Sequence, residues 1–135
     1  MIGILIVTHG RLSEELLAAT EHVVGDLERA RALAIGPDDD LERRRADIEK
    51  AIKAVNDGSG VVIVTDMFGG TPANLAITFL EKGKVEVLAG ANLPMLVKLA
   101  EARETMKVAD AAEAARAAGC KYIAVASRIL SGDAA

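Results

Sequence analysis

Short apolar runs alternate with amphipathic stretches along this chain, and that alternation limits its fold more than any other feature. Residues 2–8, Val61–Thr65 and Val85–Ala89 are rich in branched aliphatics and read as buried strands, with Ala30–Ile35 a weaker one. Leu12–Val24 carries Leu12, Leu16, Leu17, Val23 and Val24 on one helical face and is closed by Gly25. Residues 38–55 form a longer helix with Leu41, Ile48, Ile52 and Val55 inward. Its three aspartates lie in the first turn, where they complement the helix dipole.

The second half repeats the pattern. Gly69-Gly70-Thr71-Pro72 reads as a glycine turn, an N-cap threonine and a proline at the first helical position, with the helix running to about residue 80. Asn92-Leu93-Pro94 opens a helix to about residue 102. Residues 108–118 form an alanine-rich helix closed by Gly119, and residues 121–129 read as a last strand. The expected fold is therefore α/β, one domain over residues 1–135. It is an open, doubly wound, mostly parallel sheet with helices on both faces and strand order 2-1-3-4.

Composition narrows the function. The chain has 135 residues, enough for one core, and 51% are apolar. A net charge of −4 and only three aromatic residues, Phe68, Phe79 and Tyr122, argue against a nucleic-acid partner. The single cysteine, Cys120, excludes an internal disulfide and any multi-cysteine metal site, and is expected to be a small buried residue. No secretory signal and no stretch of about 20 apolar residues is present, so a cytoplasmic protein is expected.

His9 ends the first apolar run and Gly10 follows it. A histidine there points into the crevice where open α/β sheets bind ligands. Strand order 2-1-3-4 reverses between strands 1 and 3, so the ends of those two strands share one crevice. That brings Asp66 to His9. A carboxylate beside an imidazole fixes the tautomer and leaves the other nitrogen free as base or nucleophile. Gly69, Gly70 and Thr71 offer close backbone approach, free N–H groups and a hydroxyl, with Gly10 on the other wall. Together they suggest a phosphoryl group. Met67 and Phe68 sit at the rim, and one of them is expected to pack down as core; exposure of either would mark a docking surface for a protein. Asn92 is either an anion donor or a turn organiser. His22 and Arg43-Arg44-Arg45 read as helix-surface residues.

The segment Ile4 to Gly10 with the helix after it, the segment VIVTDMFGGTPAN from Val62 to Asn74, and Gly90-Ala91-Asn92-Leu93-Pro94-Met95-Leu96 together resemble the IIA component of the mannose-family sugar phosphotransferase system. The match covers nearly the whole chain in order and spacing. The resemblance implies a phosphotransferase that works through a transient phosphohistidine. His9 would be phosphorylated on Nε2, with Nδ1 facing Asp66 and with Gly10, Gly69, Gly70 and Thr71 lining the phosphate. It implies no cofactor and no metal. Phosphate would arrive from an HPr-type carrier and leave to a IIB component on a separate chain, or serve as a regulatory state. The membrane would be met only through a transporter complex. The resemblance also implies a homodimer whose last strand, residues 121–129, is antiparallel and exchanged between subunits. The rival reading is a metal-binding, chelatase-like α/β protein using His9. Such a site wants several ligands, and the other histidine, His22, lies more than three helical turns away.

Overall fold

The structure, a computed structural model, describes residues 1–132. Four parallel strands form one sheet: β1 (Gly3–His9), β2 (Ala30–Ile35), β3 (Val61–Thr65) and β4 (Val85–Ala89), in the order β2-β1-β3-β4. Helices α1 (Leu12–Val24), α2 (Leu41–Val55), α3 (Thr71–Ile77), α4 (Leu93–Ala102), α5 (Val108–Lys121) and α6 (Ala126–Leu130) complete the described chain. The fold is the expected doubly wound α/β sheet. The last three residues of the expected domain, 133–135, lie outside the described residues.

Side-chain alternation divides the sheet between two cores. Ile4, Ile6, Val62 and Val64 face α4 and α5, meeting Leu96, Leu99 and Ala111, with Leu16 and Leu17 of α1 packed alongside. Leu5, Val7 and Ile63 face α2 and α3, meeting Ile48, Ile52 and Ala76. Both faces of β1 and β3 are covered, which is why these strands are apolar without a polar face. Each such residue gains about 1.5–3 kcal/mol on leaving water. The buried Arg103 guanidinium closes the other end of the sheet, donating to the carbonyls of Ile2 at 2.9 Å and Arg29 at 3.1 Å.

Within the single chain, residues 121–129 form no strand. The described backbone continues α5 to Lys121, crosses a short turn and enters α6. No other strand pairs with this segment within the described chain, and its backbone bonds locally in turn and helical patterns, Ile123 N–H to Cys120 O and Arg128 N–H to Val125 O. Other local expectations are corrected by packing. Gly119 does not close α5. It lies inside the helix, where an added Cβ would come within 3.2 Å of Asn92 Oδ1 and of Met95, so its role is close helix packing. Cys120 is exposed, because it turns away from the face on which Gly119 packs. Leu12, Leu41, Val23 and Val24 are exposed as well, each in the first or last turn of its helix.

Candidate functional site

Register delivers the site. Val7 of β1 lies opposite Thr65 of β3, so both strands stop at nearly the same level. His9 is the last residue of β1, and Asp66 is the first beyond β3. Although 57 positions apart, they meet: His9 Nδ1 lies 2.8 Å from Asp66 Oδ2, and the His9 backbone N–H donates to the same oxygen at 3.1 Å. Asp66 Oδ1 accepts from the Met67 N–H at 3.1 Å.

An ionised carboxylate only accepts hydrogen bonds, so Nδ1 carries the hydrogen and Nε2 of the neutral ring keeps its lone pair. Partial burial pushes the Asp66 carboxyl up. The donations from the His9 ring and main chain outweigh that and hold it below its ordinary value. The His9 side chain is 51% exposed and that of Asp66 only 13%, so the carboxylate is the fixed base and the ring the accessible tip.

The glycine turn is arranged around this pair. Gly69 has φ +87° and Gly10 has φ +53°, conformations that favour glycine. The cap of α3 falls on Gly70 and not on Thr71, and no side chain caps it. Among the described residues, the backbone N–H groups of Gly69, Gly70 and Thr71 have no protein acceptor. The Gly10 N–H differs: it donates to Ile35 O at 2.8 Å and is thereby engaged within the fold. Met67 and Phe68 are both exposed, at 56% and 75%, so neither packs down as core. Asn92 organises a turn: its Oδ1 accepts from Met95 N at 3.0 Å and its Nδ2 donates to Gly119 O at 3.0 Å.

One contributor escaped the sequence reading. Thr8 is fully buried, and its Oγ1 accepts from the Ser13 N–H at 2.7 Å, tying the start of α1 to the strand that carries His9. The five-residue separation matches no standard capping pattern, so no local signal marks it. Arg11, beside His9, pairs with Glu14 at 2.9 Å. The metal-binding alternative finds no support, since among the described residues no three His, Cys, Asp or Glu side chains group to hold a metal ion. A cavity of about 690 Å³ between α1, α4 and α5 is lined by none of the site residues.

Comparison with known proteins gives the family and the fold. Residues 3–116 match the family model EIIA-man, described as the PTS system fructose IIA component. The chain is 33% identical over 104 residues to the PTS system mannose-specific EIIAB component of Escherichia coli K12. That alignment covers 76% of this chain and 32% of the relative, so the chain spans about a third of that protein's length. The phosphotransferase system component EIIA from Streptococcus agalactiae superposes with a TM-score of 0.85 at 25% identity, covering 94% of this chain and 98% of the other. The mannose/sorbose specific IIA subunit from Enterococcus faecalis gives 0.81 at 26% identity, covering 92% and 93%. With its parallel sheet in the order β2-β1-β3-β4 and its match over most of its length, this chain belongs to the EIIA-man family of phosphotransferase-system IIA components.

Proposed function

We propose that this protein is a phosphocarrier of the sugar phosphotransferase system, with His9 Nε2 as the acceptor. The observation that carries the reading is the 2.8 Å contact of Nδ1 with Asp66, which leaves Nε2 as the lone-pair nitrogen of a half-exposed ring. The Nε2 lone pair attacks the phosphorus of a phosphohistidine on an HPr-type donor. The donor N–P bond breaks, and its electron pair returns to the donor ring. The hydrogen on Nδ1 stays directed at Asp66, which stabilises the cationic character of the phosphorylated ring. Transfer onward to a IIB component breaks the His9 N–P bond, whose electron pair returns to the His9 ring; as a regulatory signal the group stays on and that bond stays intact.

The remaining assignments follow from local chemistry. The N–H groups of Gly69, Gly70 and Thr71 and the Thr71 hydroxyl line the phosphoryl oxygens, and Gly10 permits close approach through its bare Cα. Transfer then needs little beyond positioning and charge stabilisation. Exposed Met67 and Phe68 offer apolar area beside the ring for a protein partner. Among the described residues no helix is long and apolar enough to cross a membrane. We assign the protein a cytoplasmic role, with membrane contact only through a transporter complex. We also propose a homodimer. Ile123, Val125, Ile129 and Leu130 are exposed, and β4 lies at the sheet edge, bridged on its outer side at Val85 by Glu81; beyond that bridge residues 121–129 of a second copy would form an antiparallel strand.

The test is incubation with a phosphoenolpyruvate-driven donor system, read by intact mass. One phosphoryl group that is acid-labile, alkali-stable and absent in His9→Ala is expected. Intact protein that takes no label rejects the reading.

A further inference from the structure

We propose that Gly70 is a positioning residue for His9: its bare Cα is the wall against which the imidazole lies, and a side chain there would displace the ring from Asp66. The inference rests on the phosphocarrier reading for its consequence in transfer, and on geometry alone for its structural part. Gly70 has φ −85° and ψ 169°, extended backbone that any residue adopts. Its conformation therefore does not call for glycine. The space does. A Cβ added at Gly70 would stand 2.7 Å from His9 Cε1, 3.2 Å from Nε2 and 3.6 Å from Met67 Cγ. The first distance is far inside van der Waals contact.

The other two glycines of the site differ in kind. Gly69 and Gly10 have positive φ, and a Cβ on either would meet nothing within 4 Å. Those two shape the backbone, whereas Gly70 makes room for the ring. The ring is thus held on two sides, by Asp66 at Nδ1 and by the Gly70 backbone along its Cε1–Nε2 edge. Because the His9 side chain is half exposed, an added methyl would drive the ring toward solvent more readily than it would move the chain. That motion stretches the Nδ1–Asp66 contact and releases the tautomer.

The decisive readout needs no phosphate donor. In protein labelled with ¹⁵N in its histidines, the neutral His9 ring is expected to show one dominant tautomer, protonated on Nδ1. In Gly70→Ala it is expected to move toward the mixture seen for free imidazole. Gly70→Ser serves as the second variant, since serine is favoured at an N-cap and supports the start of α3. It should lose ring order with its melting temperature kept or raised. Phosphorylation by the donor system should fall on the order of 10- to 100-fold in either variant. Combining Gly70→Ala with Asp66→Asn should cost less than the product of the two single effects, because both act on one ring orientation. Either folded variant keeping the wild-type ring nitrogen pattern overturns the proposal, whatever its transfer rate. Failure of the wild-type protein to accept phosphate defeats the phosphocarrier reading instead, and the ring spectra still decide the role of Gly70.

Discussion

Asp66 Oδ2 accepts two hydrogen bonds from His9, one from the ring at 2.8 Å and one from the main chain at 3.1 Å. One oxygen therefore fixes both where the residue sits and which way its ring is turned. This double hold makes an exposed histidine directional, although half of its surface faces water.

Replacing Asp66 by Asn should separate charge from shape. The amide oxygen still accepts from His9, and the backbone arrangement should survive. The charge that stabilises a cationic ring is lost. Phosphoryl transfer should slow by about 10- to 100-fold, with an unchanged far-ultraviolet spectrum. Rapid-quench measurement of label transfer checks this; wild-type rates in the variant would remove Asp66 from the mechanism.

The same carboxylate makes stability depend on pH. Its folded pKa is depressed, so its contribution is present above the unfolded carboxylate value of about 3.9. It is lost as pH falls through the lower folded value. Urea midpoints should therefore favour wild type over Asp66→Asn at neutral pH, with the gap closing in acid. A gap that widens on acidification would contradict the sign.

Thr8→Val should cost about 1–2 kcal/mol. The substitution keeps the shape but leaves the buried Ser13 N–H without its acceptor. Urea denaturation supplies the number. Greater mobility of His9 in NMR relaxation should accompany it, because the strand end and α1 lose their link.

Gly3→Ala should destabilise by roughly 1–3 kcal/mol, since the new Cβ would stand 2.5 Å from the Val55 carbonyl oxygen, where the end of α2 meets β1. A shift in melting temperature with little change in labelling at His9 is expected, because the contact lies at the opposite end of the strand.

Charged residues at Ile123 and Leu130 should shift the protein from dimer to monomer in sedimentation, if these exposed side chains are buried between copies. Unchanged sedimentation of an Ile123→Asp, Leu130→Asp double variant would count against residues 121–129 as the dimer contact.

Much of the scaffold was legible because burial on both faces writes itself locally. Val61–Thr65 and Val85–Ala89 are apolar runs of strand length, and their bounds match those read from sequence. The His9–Asp66 pairing needed one further step, a topology chosen because it is the common one, and the observed strand order brings the two together. What failed to show was whatever depends on a neighbour remote in sequence. Gly119 looked like a helix stop because glycine usually is one, and only the approach of Asn92 and Met95 explains it inside α5. The expectations that Cys120 is buried and that one of Met67 and Phe68 packs as core failed for the same reason: apolar character says what a side chain tolerates, not where a loop or helix end leaves it.

The sequence by itself determined the alternation of strands and helices, the strand ends that carry His9 and Asp66, and the glycine turn beside them, since periodicity and backbone chemistry act over a few residues. Only the tertiary structure decided that one carboxylate oxygen holds both ring and main chain. It alone showed that the Gly10 N–H is engaged by Ile35 and that the His9 ring lies against the Gly70 Cα. Those relations join separate strands and loops, and their distances follow from sheet register and packing, which no local pattern encodes.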